Sequence, residues 1–228
     1  MVFENTVDFA ARMDTIDPLR EFKKEFVVPQ YQGEASIYFC GNSLGLQSKR
    51  AAASVEKVLA QWAHLGIEGF FDGSENWANW PERIAAQLSP IVGAQPSEVM
   101  VANALTVNLH LLMASFYRPT PQRHKIIIEG GAFPSDQYAV DSQVEWHGYL
   151  PKESVVEIFP EGGQTHIEEK QIKSTIEQHR DSLALVLIGG VNYFTGQVFD
   201  ISKIAQWTHE AGAVFGVDLA HAIGNIPL

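Results

Sequence analysis

The sequence predicts an α/β fold: a mostly parallel sheet with helices on both faces. Three observations lead there. From Ser97 onward, short apolar runs alternate strictly with stretches of helical spacing. The apolar runs are uninterrupted, as in strands buried on both faces, instead of alternating apolar with polar as in a half-exposed sheet. The composition, 46% hydrophobic and 19% charged, supplies enough apolar material for a sizeable core.

The elements follow in order. Residues 1–96 read as a helical segment with loops, and residues 97–228 as the α/β domain. In the first part, Phe9 to Phe26 has helical apolar spacing, and Ser36 to Cys40 reads as a short strand before the turn Gly41-Asn42-Ser43-Leu44-Gly45. Lys49 to Leu65 is a second helix with Val55, Val58, Leu59 and Trp62 on one face. Gly66 to Trp80, rich in glycine and aromatics, reads as a loop, and Pro81 suits the first position of a helix over Glu82 to Val92. In the second part the strands are Glu98–Ala102, Lys125–Glu129, Ser154–Phe159, Leu183–Ile188 and Ala213–Val217. The helices are Thr106–Phe116, Ser135–Val144, Ile167–His179 and Ile201–Ala211.

Composition narrows the function classes. The net charge of −11 argues against sequence-independent nucleic-acid binding and against docking on anionic membranes. Cys40 is the single cysteine, so no intrachain disulfide and no multi-cysteine metal site is expected, which fits a reducing compartment. Met1 to Arg20 carries Glu4, Asp8, Asp14 and Asp17 and does not read as a secretory signal, and no apolar stretch approaches the roughly 20 residues of a membrane span. The expectation is a cytoplasmic protein. The dinucleotide, P-loop and nucleophile-elbow signatures are absent, and the histidines show no metal-binding spacing.

A parallel sheet places ligands at the carboxyl ends of its strands, so the residues just after each strand are the candidates. Asn103-Ala104-Leu105-Thr106 enters a helix whose free N–H groups suit a phosphate; Thr106 either adds a hydroxyl to that site or caps the helix. In Gly130-Gly131-Ala132-Phe133-Pro134-Ser135-Asp136, Phe133 either covers a planar ligand or packs in the core, and Asp136 either faces a site or serves its helix terminus. The apolar run Val214 to Val217 ends on Asp218. A carboxylate there could keep a pyridine-type nitrogen protonated, as pyridoxal sites require. It could also hold a metal or a ribose hydroxyl, or cap the next segment, and His221 reads equally as ligand contact or structural residue.

Taken together, five segments in this order resemble the kynureninase family, fold-type-I enzymes that use pyridoxal 5′-phosphate (PLP). They are Tyr38-Phe39-Cys40-Gly41-Asn42-Ser43-Leu44-Gly45-Leu46-Gln47, Asn103-Ala104-Leu105-Thr106-Val107-Asn108, Ala132-Phe133-Pro134-Ser135-Asp136, Tyr193-Phe194-Thr195-Gly196-Gln197 and Asp218-Leu219-Ala220-His221-Ala222. The resemblance implies a homodimeric hydrolase that splits L-kynurenine or its 3-hydroxy analogue into the anthranilate and L-alanine. It implies that Leu105 and Thr106 bind the cofactor phosphate and that Phe133 stacks on the ring, with Pro134, Ser135 and Asp136 in the same loop. It implies further that Asp218 pairs with the ring nitrogen, that His221 lies beside the cofactor, and that Asn42 and Ser43 approach the substrate.

There are departures. The family's Gly-His pair, associated with substrate recognition, reads Gly69-Phe70, and a hydroxyl residue near the phosphate falls at Gly189. The lysine that forms the Schiff base is expected one strand beyond Asp218, whereas the last lysine is Lys203. The resemblance thus reads the chain as an N-terminal portion, without its own nucleophile, ending before the last strands and the small C-terminal domain. It also places strand Glu98–Ala102 and the strand ending at Asp218 next to strands beyond Leu228. Two alternatives stand beside it: another fold-type-I enzyme such as a cysteine desulfurase relative, and a non-catalytic short form that binds a cofactor or a partner.

Overall fold

The structure, a computed structural model, describes residues 2–228. The chain divides into two compact units, Met1–Trp80 and Pro81–Leu228.

In the first unit, helix α1 (Val7–Ile16) is capped by Thr6, whose hydroxyl accepts from the Phe9 N–H at 3.2 Å. The helix expected to reach Phe26 stops at Ile16 because Asp17 precedes Pro18, and a residue before proline is driven out of the helical region; Asp17 has ψ 118°. Short strands follow. Phe26–Val27 (β1) pairs antiparallel with Gln47–Ser48 (β4), and Gln30–Tyr31 (β2) with Glu34–Ala35 (β3). The β2–β3 turn has positive φ at both Gln32 (53°) and Gly33 (84°), which matches the twist of a tight hairpin. Ser36 to Cys40, expected as a strand, forms none and leads into a turn at Cys40–Leu44, where the Tyr38 hydroxyl bonds the Leu44 carbonyl. Helix α2 (Ala51–Leu65) matches its expected span, but Val55, Leu59 and Trp62 of its apolar face are more than half exposed. The segment read as a loop after α2 is ordered by Gln61. Its amide donates to the carbonyls of Gly69 and Glu75 (3.0 and 2.7 Å) and accepts from the Glu75 N–H (3.1 Å).

The second unit carries the sheet. Its elements are α3 (Trp80–Val92), α4 (Leu105–Phe116), β5 (Lys125–Glu129), α5 (Pro134–Trp146), α6 (Pro151–Ser154), β6 (Val155–Ile158), α7 (Glu169–His179), β7 (Leu183–Gly189), α8 (Ile201–Glu210) and β8 (Val214–Asp218). The four strands run parallel in the order β6-β5-β7-β8. Successive strand residues point to opposite faces, and the two cores divide accordingly. Ile126, Ile128, Leu185 and Leu187 pack with Met113 and Tyr117 at the end of α4 and with Val140 and Val144 of α5. Ile127, Val186 and Ile188 pack with Ile172 and Ile176 of α7 and Ile204 of α8. Continuous apolar runs were therefore the correct signal for strands covered twice. No helix among the described residues is long and apolar enough to cross a membrane.

One expected strand is absent. Pro96–Glu98 forms a 3₁₀ turn and residues 99–102 form no strand, with Met100 84% exposed. An apolar run becomes a strand only where a neighbour supplies the ladder of hydrogen bonds, and none of the four strands does so. At the other edge, β8 has β7 on one side only. Its free edge adjoins an apolar cleft of ≈ 240 Å³ walled by Leu109, Leu112 and Phe116 of α4 and by Val214, Phe215 and Val217. Open strand edges of this kind recruit other chains. The isolated chain is expected to elute in sizing chromatography above the mass of one copy; a stable monomer would contradict the edge assignment.

Candidate functional site

In the sheet order β6-β5-β7-β8 the chain moves outward in one direction from β5 to β6 and in the other from β7 to β8. The direction reverses between β5 and β7, and in open α/β sheets that reversal leaves a crevice at the carboxyl ends where ligands bind. Three strands end there on Glu129, Gly189 and Asp218, with Gly189 and Asp218 in direct register.

Carboxyl groups dominate the crevice. Glu129 is 4% exposed; its Oε2 accepts from the Gly189 N–H at 2.7 Å and its Oε1 from the Asn192 side-chain amide at 3.2 Å. Asp136, in the first turn of α5, is 7% exposed and lies against Asp218. Burial pushes Asp136 up to about 7, and the charge of Asp218 and a hydrogen bond shared with it push the same way. Burial also raises Glu129, opposed in part by its bonds from Gly189 and Asn192. Asp218 is held by its backbone. Its Oδ1 accepts from the Ala220 N–H (2.8 Å) and its carbonyl accepts from the Gly190 N–H (2.7 Å). Gly190 packs so closely on this turn that a Cβ there would lie 2.8 Å from Ala222.

Two clefts share Asp136, Leu187 and Asp218. On one side stand three rings: Phe133 is edge-on to Tyr193 at 5.1 Å and 5.9 Å from His221, and Tyr193 is 6.0 Å from His221. On the other side a cleft of ≈ 340 Å³ is lined by Leu105, Asn108, Asp136, Asp218 and Ala220. Helix α4 begins at that cleft. Its N-cap is Ala104, which makes no side-chain capping bond, so the first N–H groups of α4 have no cap. The capping alternative for Thr106 is thereby excluded: Thr106 sits inside the first turn, exposed, beside Leu105. Asn108 holds the approach to α4, donating to the Asn103 carbonyl (2.8 Å) and accepting from its N–H (3.0 Å).

The structure thus brings together Leu105, Phe133, Asp136, Asp218 and His221, with Pro134 opening α5 and the Ser135 hydroxyl donating to Asp136 at 3.4 Å. Asn42, Ser43 and Phe70 lie in the first unit, Asn42 and Ser43 in the exposed turn and Phe70 edge-on to Trp77 at 5.3 Å. Lys203 is away from both clefts, bonded to Glu169 (2.8 Å) and Asp200 (3.1 Å). Sequence reasoning passed over Glu129 and Asn192. The signal for Glu129 was present, since it ends the run Ile126-Ile127-Ile128 just as Asp218 ends its own.

The residues suit a cofactor with a cationic planar ring and a phosphate. A protonated ring nitrogen would meet the buried Asp136 and the half-buried Asp218 at one point, an aromatic side chain stands at the strand ends, and an uncapped helix start borders the shared cleft.

The acid pair also fixes how stability depends on pH. Asp136 ionises near 3.8 when unfolded and near 7 in the fold. The unfolded chain therefore loses this proton first, and the stabilisation, complete below about pH 4, is lost as pH rises to about 7. Asp136→Asn should remove that slope, so the variant gains on the parent by a few kcal/mol between about pH 4 and pH 8. Urea melts across this range check it; parallel curves for the two proteins would place Asp136 outside the acid pair.

Comparison with known proteins agrees with this fold. Residues 37–228 match the aminotransferase class-V family. The chain is 55% identical over 228 residues to a kynureninase of Flavobacterium psychrophilum and 46% identical over 228 residues to one of Myxococcus xanthus. It spans about half the length of these curated relatives, 54% of each. Among solved structures, a C-DES mutant with glycine covalently linked to its PLP cofactor aligns with TM-score 0.63 at 16% identity, over 84% of this chain and 48% of that one. The cysteine desulfurase CsdA of Escherichia coli aligns with TM-score 0.63 at 18% identity, over 89% of this chain and 49% of that one. At such identities the structural likeness establishes a shared fold, and the sequence match establishes the lineage: the chain belongs to the aminotransferase class-V family.

Proposed function

We propose that the chain forms the cofactor-binding part of a PLP-dependent hydrolase of the kynureninase type. Its reaction splits L-kynurenine or 3-hydroxykynurenine with water into anthranilate or 3-hydroxyanthranilate and L-alanine, in tryptophan breakdown. The observation that carries the reading is the contact of Asp136 with Asp218 at the strand ends, beside Phe133 and the uncapped start of α4. The 46–55% identity to kynureninases supports this substrate class over the cysteine desulfurase alternative, whose representative CsdA shares the fold at 18% identity.

When bound, PLP supplies an electron sink for bonds broken beside the substrate's α-carbon. The protein's own residues do the rest. Asp218, fixed by the Ala220 and Gly190 N–H groups, holds a proton on the ring nitrogen, and Asp136 supports it with a second carboxyl. Phe133 would cover the ring, and the first N–H groups of α4, at Leu105 and Thr106, would receive the phosphate. Gly189 leaves no hydroxyl for the phosphate, and a Cβ there would stand 3.1 Å from the Glu129 carboxylate. Pro134 and Ser135 set the start of α5, and His221 borders the ring cleft. Asn42, Ser43 and Phe70 serve the substrate side, a role that rests on the resemblance of their segments. We assign the protein to the cytoplasm, consistent with its lone exposed Cys40, and the working form to a homodimer, as in the resembled family.

Pyridoxamine 5′-phosphate tests the reading without Schiff-base chemistry, because it has no aldehyde to react with surface lysines. Isothermal titration should show it binding the chain. Asp218→Ala should weaken it by about tenfold or more, the scale of a charge-assisted hydrogen bond, with the thermal melt little changed. Equal affinity in parent and variant would remove Asp218 from the ring-nitrogen role.

A further inference from the structure

Glu129 is the buried acid to which the reading above gives no task. It sits where β5 and β7 part, and its side chain spans the gap: one oxygen takes the Gly189 N–H and the other the Asn192 amide. Asn192, 7% exposed, passes the connection on. With its amide nitrogen turned to Glu129, its Oδ1 accepts from the Phe194 N–H (3.1 Å), the Thr195 N–H (2.9 Å) and the Thr195 hydroxyl (3.0 Å). The backbone closes the same loop through Asn192 N–H to the Gln197 carbonyl (2.8 Å) and Gly196 N–H to the Asn192 carbonyl (2.9 Å). Tyr193, between Asn192 and Phe194, is the ring that meets Phe133 and His221. Gly189 lacks the Cβ that would crowd the carboxylate.

We propose that Glu129 is a positioning residue: acting through Asn192, it fixes the 189–197 loop and so sets Tyr193 against Phe133 at the cofactor cleft. The cofactor part of this statement rests on the reading given above; the loop part does not.

The hydrogen bonds have a direction that can be reversed. Glu129 offers only acceptors, so Asn192 must present its amide nitrogen to it and keep its oxygen for the three loop donors. In Glu129→Gln the new amide, with its oxygen on the Gly189 N–H, points donors at the Asn192 donors. Asn192 then has to turn, and the loop loses its acceptor. Adding Asn192→Asp restores the match, because the aspartate accepts from the glutamine on one oxygen and from the loop on the other.

The test measures hydrogen exchange of the 193–197 segment by mass spectrometry in the ligand-free chain, then the circular dichroism induced in bound pyridoxamine 5′-phosphate. Glu129→Gln is expected to speed exchange of this segment by about tenfold, the scale of one lost hydrogen bond to a charged group, and to change the induced signal. The double variant is expected to return both to within about twofold of the parent. In a Tyr193→Ala background, Glu129→Gln should leave the induced signal unmoved. Unchanged exchange in Glu129→Gln, or failure of the double variant to restore it, overturns the proposal. If Glu129→Gln alone does not fold, the double variant decides: folded with parental exchange it supports the proposal, and otherwise it overturns it. A parent that binds no pyridoxamine 5′-phosphate defeats the functional reading, while the exchange result still decides the role of Glu129 in the loop.

Discussion

Three carboxyl groups, two of them buried and one half-buried, meet where a parallel sheet changes direction. β5, β7 and β8 are parallel neighbours whose tips deliver Glu129, Gly189 and Asp218 to one end of the sheet, Gly189 and Asp218 in direct register, and the first turn of α5 adds Asp136. Buried carboxylates are costly unless each finds donors or an opposite charge. Glu129 finds donors in Gly189 and Asn192. Asp218 takes the Ala220 N–H, and Asp136 is pushed up to about 7 by its burial first and then by the charge of Asp218 beside it, the Ser135 hydroxyl opposing this in part. The pair is short of positive charge, and the uncapped start of α4, with its partial positive charge, lies on the cleft it shares.

The fold alone does not assign the chemistry. C-DES and CsdA have this architecture at 16–18% identity, and a shared fold hosts different reactions. In such a sheet the ligand crevice is built by the loops after the strands. Here the loop after β7 is organised by Asn192, and its Tyr193 stands beside Phe133 and His221, so the surroundings of the ring depend on side chains outside the acid pair.

The second unit was legible because its strands are covered on both faces. Runs such as Lys125–Glu129 and Leu183–Gly189 carry their own signal, and the site residues follow from their ends. Glu98–Ala102 carries the same kind of signal but forms no strand, since pairing depends on a neighbour that periodicity cannot supply. In the first unit, β1 to β4 are two residues each, too short for any pattern, and helix α1 yields to Pro18. Leu105, Phe133, Asp136, Asp218 and His221 could be placed together from strand order; the part played by Glu129 and Asn192 depends on bonds between residues 63 apart in sequence.

In the proposed function Asp218 and Asp136 keep a pyridine ring nitrogen protonated. Nitrogen-15 NMR of ring-labelled pyridoxamine 5′-phosphate, bound to the chain and titrated with base, reads that proton directly. The bound nitrogen should stay protonated at least about one pH unit above the free compound, the shift expected from an adjacent carboxylate. A ring nitrogen that loses its proton at the same pH whether bound or free would contradict it.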